Sequence, residues 1–106
     1  GTGYSRLKAN LTVPVQGWNT DSKNNPHLDM PIDHLVCLYY VNDSDGDTYI
    51  YEEMFEEEGE PKEFKVLEKV TPKKGRAVVF DGLRYHSSNC PIENKNRIIL
   101  NADLIV

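Results

Sequence analysis

The 106-residue sequence has too few cysteines for a disulfide framework, no apolar run long enough for a membrane helix and no excess of basic residues. Helical periodicity is equally hard to find. Each absence excludes a class. Two thiols, Cys37 and Cys90, point to free cysteines in a reducing compartment. Cys37 lies in the run Leu35-Val36-Cys37-Leu38 and is expected to act as a small buried hydrophobe. Nothing approaches the ~20 apolar residues of a spanning helix, and no signal peptide opens the chain. The expectation is a cytoplasmic protein with no membrane partner. Seventeen acidic against twelve basic residues give a net charge of −5, which argues on charge grounds against a nucleic-acid partner. Much of that charge sits in Glu52, Glu53, Glu56, Glu57, Glu58, Glu60 and Glu63. Such a block reads as a solvated loop, with a lid over a site as the sharper alternative.

What is present is strand patterning. Turn residues recur every 8–12 positions, which favours an all-β sandwich or barrel in a single domain spanning 1–106, with its core at about 6–105. Arg6 to Gln16 alternates Leu7, Ala9, Leu11, Val13 and Val15 with mostly polar neighbours, predicting a half-buried strand limited by Pro14 to an edge or bulge. Residues 18–26 read as a loop, His27 to Met30 as a short strand. The near-continuous apolar run from His34 to Asn42 predicts a strand covered on both faces. Further strands are expected at Thr48–Glu52, Glu63–Val70, Arg76–Phe80 (buried), Tyr85–Asn89 and Arg97–Ile105, with turns at Asp43–Gly46, Thr71–Gly75 and Asp81–Gly82. About eight short strands is the jelly-roll count.

Chemistry concentrates in Pro26-His27-Leu28-Asp29 and Tyr85-His86-Ser87. Side chains two apart on a strand share a face, so His27 and Asp29 project together while Leu28 goes to the other side. An imidazole and a carboxylate so placed are two thirds of the 2-His-1-carboxylate triad that holds non-haem Fe(II) with open positions. The third ligand must be His34 or His86. His34 follows Asp29 by five residues, too close to fold back onto the same metal, and is expected to face outward or to bond locally. His86 can arrive on another strand, and Arg97 follows it by eleven residues.

These residues resemble the Fe(II)/2-oxoglutarate-dependent dioxygenases, in particular the prolyl 4-hydroxylase-like branch of bacteria and phages. The matching stretches are His27–Asp29, Cys37–Asp43, Asp45–Tyr51, Gly75–Gly82 and Tyr85–Cys90 with Arg97 behind them, in family order from about Lys8 to Leu104. The resemblance implies a cupin-like double-stranded β-helix, with the helices that usually precede its first core strand absent here. It implies His27, Asp29 and His86 on Fe(II), with 2-oxoglutarate as cosubstrate, O₂ as oxidant and ascorbate as a further cofactor candidate. Arg97 would grip the distal carboxylate of 2-oxoglutarate, since its planar fork suits a carboxylate. Tyr40 would bring its hydroxyl to the same group, facing inward with Val36 and Leu38, while Tyr39 points away. By strand parity Thr48 and Ile50 become pocket wall, and Asn101 shares the Arg97 face with Ile99 and Asp103. Where the family often carries an aromatic on the first core strand, this chain has Pro14 and Gln16, with Trp18 as the substitute.

The implied reaction hydroxylates a C–H bond, with peptidyl proline as the leading substrate and host cytoplasm as the setting. A free amino acid or other small molecule is the alternative within the family. The nucleic-acid demethylase branch is disfavoured, because Arg97 stands alone in its strand and the chain is acidic. A non-catalytic jelly-roll binding or structural module remains the reading from another class.

Overall fold

A computed structural model describes residues 4–13, 17, 25–93 and 96–105. Trp18, Pro14 and Gln16 lie outside them. Among the described residues seven strands are formed: β1 (Tyr4–Thr12), β2 (Leu35–Tyr40), β3 (Thr48–Met54), β4 (Val66–Val70), β5 (Ala77–Asp81), β6 (Arg84–Ser88) and β7 (Arg97–Ile105). They make two antiparallel sheets, one ordered β1-β7-β2-β5 and the other β4-β3-β6. No helix occurs among the described residues, and none is long and apolar enough to cross a membrane. The segment expected as a strand at His27–Met30 shrinks to one bridge, His27 against His86, at the free edge of the smaller sheet. Pro26 and Pro31 flank it, and neither can donate to a ladder.

The inner faces meet in one core of Val36, Leu38, Tyr40 and Ile99 from the larger sheet against Ile50 and Val70 from the smaller. Each such fully buried aliphatic side chain contributes roughly 1.5–3 kcal/mol. A second cluster of Tyr49, Tyr51 and Tyr85, with Phe64 and Leu28 against it, covers the other face of the smaller sheet.

Three expectations about burial fail for one reason. Leu7, Leu11 and Val13 are exposed rather than half-buried, because the even-numbered residues of β1 face inward. β2 is not covered on both faces: Val36, Leu38 and Tyr40 are buried, whereas Leu35 and Tyr39 are exposed and Cys37 is only half-buried. β5 alternates between exposed and half-buried. The larger sheet therefore carries apolar side chains on its outer face, and hydrophobicity alone misassigns which face turns in. In β4, Val66 and Leu67 are likewise exposed. Of the acidic stretch, Glu52 and Glu53 extend β3, and Glu56–Glu60 are exposed around a turn closed by Gly59 N–H to Glu56 O.

Of the two expectations for His34, the local bond is realised and the outward orientation is not. Its side chain is fully buried, with Nδ1 bonded locally to Ile32 O at 2.6 Å. It packs onto Gly82 in the turn that carries the chain from β5 to β6, where a Cβ would sit 2.2 Å from the imidazole Nε2. Gly82→Ala should therefore destabilise the fold by about 1–3 kcal/mol, an overpacking effect. A melt should show a drop of at least ~4 °C for a domain of this size. A wild-type melting temperature would show that His34 does not fill that turn.

Candidate metal centre

The bridge between His27 and His86 is a close pair of backbone hydrogen bonds, 2.9 and 3.0 Å, which brings two residues 59 positions apart side by side. Their ring centroids are 4.5 Å apart. Asp29, two residues on, reaches both: its Oδ1 lies 3.6 Å from His27 Nε2 and 3.3 Å from His86 Nε2. All three ligand atoms lie within 4.8 Å of one another. Donors bound at right angles, about 2.0–2.2 Å from an ion, are about 3 Å apart, so this donor set fits a divalent cation.

Both imidazoles are oriented for the task. His27 Nδ1 lies 3.3 Å from Asn25 O, and His86 Nδ1 lies 3.3 Å from Arg84 O. A carbonyl can only accept, so each Nδ1 carries a proton in these bonds, and Nε2, the ring atom that faces Asp29, is the one open to a metal. Phe80 packs edge-on against His86 with centroids 5.1 Å apart. Burial pushes the Asp29 carboxyl up. The neighbouring His86 above all, with Asp103 and His27, outweighs it and holds the group well below the usual carboxylate range. Asp103 moves the other way, raised by burial and by Asp29 against the pull of Arg6.

The cluster opens into a cavity of about 120 Å³, room for several waters or one small organic ligand. Arg97, Thr48, Asn101, Ile99 and Leu38 line the same cavity, as do Ser87, Ser88 and Asn10. Arg97 is almost fully buried. Its Nε donates to Gly46 O and its Nη2 to Thr48 Oγ1, both at 2.5 Å, and its guanidinium carbon lies 5.9 Å from the Tyr40 ring centre. Burial lowers the pKa of the guanidinium, with Tyr40 and Asp47 opposing, and an arginine remains charged under such a shift.

Tyr40 faces inward as expected, but it stands behind Thr48 rather than on the cavity wall. Its hydroxyl donates to Thr48 Oγ1 at 2.8 Å, and burial raises its pKa, so the phenol keeps its proton. Thr48 Oγ1 thus accepts from both Tyr40 and Arg97, which uses both lone pairs and leaves its own O–H free to donate into the cavity. Asn101 is buried, with Oδ1 making no hydrogen bond among the described residues. Ile50 belongs to the core rather than the wall.

Sequence reasoning missed three contributors. Asn10 was hidden by the wrong choice of inward face for β1. Gly46 supplies the carbonyl for Arg97, and a Cβ there would lie 2.6 Å from Asn89 O and 2.9 Å from Arg97 Cδ. The signal was the glycine inside Asp45-Gly46-Asp47, which reads only as a turn. Asp103 was placed on the correct face by parity, yet nothing local tied it to Asp29. No protein-family model matches the chain, and no curated protein matches it either.

Proposed function

We propose that this chain is an Fe(II)- and 2-oxoglutarate-dependent dioxygenase built on a double-stranded β-helix. Strand order supports the fold. With the His27 bridge counted as the second of eight strands, one sheet runs first, eighth, third, sixth, and the other second, seventh, fourth, fifth. Two interlocked Greek keys produce that alternation, which is the jelly-roll arrangement.

One observation carries the function: a single cavity is lined both by His27, Asp29 and His86 and by the buried Arg97–Thr48 pair. A structural metal site has no use for a buried cation a short distance away. A keto diacid does, since it offers one end to the ion and the other to a guanidinium. Thr48 lies two residues along β3 from Ile50, the partner of His86, or about 7 Å at strand spacing.

In this reading His27 and His86 through Nε2, and Asp29 through Oδ1, would hold the ion. Arg97 and the Thr48 hydroxyl hold the distal carboxylate, while Tyr40 keeps Thr48 turned to donate. Leu38 and Ile99 supply the apolar wall that limits water. Bound iron and 2-oxoglutarate would supply the oxidising chemistry: the keto acid is cleaved to succinate and CO₂ as oxygen enters a C–H bond. The family resemblance, rather than a contact in the cleft, puts peptidyl proline first among substrates and a free amino acid next.

The test needs no substrate. Aerobic incubation with Fe(II) and 2-oxoglutarate should release succinate slowly through uncoupled turnover, and a peptide or amino acid that accelerates it identifies the substrate class. Absence of succinate together with absence of Fe(II) binding would reduce the chain to a jelly-roll module without this chemistry.

A further inference from the structure

We propose that Asn101 is a binding residue of this cavity, its carboxamide kept without a partner in the ligand-free protein so that it can donate to the keto-acid end of the cosubstrate. The role rests on reading the cavity as a 2-oxoglutarate site. Asn101 stands on the inner face of β7, opposite Leu38 of β2 and in line with Arg97 and Ile99. It is 7% exposed and lines the cavity together with the three metal-site residues, Arg97 and Thr48. Its Oδ1 is shut away from solvent and makes no hydrogen bond among the described residues. Apart from the metal-site carboxylate, the other buried polar side chains of the cavity are engaged. Arg97 is held by Gly46 O and Thr48, Thr48 by Tyr40, Ser87 by Tyr51 and His86 by Arg84 O. Buried polar atoms are almost always partnered, so Asn101 is the exception that calls for a ligand.

A buried amide without partners lowers stability, and an apolar residue would avoid that loss. Leu38 and Ile99 already form an apolar wall beside it, and a β-branched residue would suit the strand better than asparagine. Local rules of this kind are broken chiefly where a ligand is met. The ligand's own chemistry says which part of it is met. Arg97 and Thr48 take one carboxylate. Two steps of the pleat, ~13 Å of strand, separate Asn101 from Arg97, so the amide faces the far end of the molecule. That end, a keto oxygen beside a carboxylate, carries only acceptors. The Asn101 NH₂ is a donor, and a half-turn about the last side-chain bond brings either end of the amide forward. A neutral donor holds an anionic ligand without competing with it for the metal.

Valine and threonine have nearly the same shape and differ by one hydroxyl, so the pair separates hydrogen bonding from packing. Calorimetric titration of 2-oxoglutarate into the Co(II)-loaded proteins reads the affinity, and melting of the metal-free proteins reads the fold. Asn101→Val should bind 2-oxoglutarate ~10–100-fold more weakly, the loss of one hydrogen bond to a charged group. Its Co(II) affinity should stay within about 3-fold of wild type, short of the ~10–100-fold that losing a ligand's own partner costs. Its melting temperature should equal or exceed that of wild type. Asn101→Thr should bind 2-oxoglutarate at least about 3-fold more tightly than Asn101→Val, since the hydroxyl restores a donor. Wild-type 2-oxoglutarate affinity in Asn101→Val, or a threonine variant no tighter than the valine variant, would overturn the role and leave the 2-oxoglutarate site standing. So would a fall of ~4 °C or more in the melting temperature of Asn101→Val, or its failure to fold, because the amide would then be a structural partner. Wild type that binds Co(II) but no 2-oxoglutarate would remove the keto-acid reading and this role together.

Discussion

Replacing His86 with alanine should abolish 2-oxoglutarate turnover and weaken Co(II) or Fe(II) binding by at least ~100-fold, beyond the loss expected from an outer-shell partner. The reason is the double service of this residue. Its backbone forms the bridge that brings His27 into place, and its Nε2 stands 3.3 Å from the Asp29 carboxylate. The substitution keeps the bridge and removes only the imidazole, so the fold should survive. A modest cavity cost of about 1–3 kcal/mol is expected beside Phe80, to be read from a denaturant titration. Wild-type metal spectra and unchanged 2-oxoglutarate consumption would eliminate the triad. His34→Ala is the useful contrast. It deletes an equally buried imidazole, so it should lower stability while leaving all three proposed ligands in place.

Arg97→Lys should raise the 2-oxoglutarate concentration needed for half-saturation by roughly one to two decades, equivalent to about 1.5–3 kcal/mol for a charged hydrogen bond. Lysine keeps the charge but cannot span Gly46 O and Thr48 Oγ1 and still offer a fork to a carboxylate. Metal affinity measured without 2-oxoglutarate should stay within about 3-fold of wild type, because the guanidinium is held by Gly46 O and Thr48 Oγ1 on β3 and the turn before it. That split distinguishes loss of a carboxylate anchor from general damage to the site. Saturation indistinguishable from wild type would reassign Arg97 to a structural role, tying the Gly46 turn to β3.

The two substitutions test different levels of the same inference. Strand parity put His27 and Asp29 on one side and Leu28 on the other, and Leu28 indeed packs into the aromatic cluster on the far face. Parity also placed Arg97, Ile99, Asn101 and Asp103 together, and all four are buried on the inner face of β7. Period two is a property of the extended backbone itself, so it survives without knowledge of partners. Turn chemistry was nearly as local: the strand β7 falls where its residues predict, and the turn expected at Asp81–Gly82 falls one residue later, at Gly82–Leu83.

Tertiary structure decided everything that depends on which face looks inward. The leucines of β1 and the odd residues of β2 look like core by composition, yet they lie on the outer face of the larger sheet. The opposite face is partly polar because it lines a cavity, so the usual rule of apolar inside and polar outside inverts exactly where the candidate site is built. Only the pairing of β1 with β7, Thr12 against Arg97 and Arg6 against Asp103, turns Asn10 toward the cavity and Arg6 toward Asp103. The same holds for Gly46 beneath Arg97 and for His34 against Gly82. The sequence by itself therefore determined most of the strands, their alternation and the types of side chain at the candidate site. Register between strands distant in the chain decided which of those side chains meet, because contact across a sheet depends on partners that no local window contains.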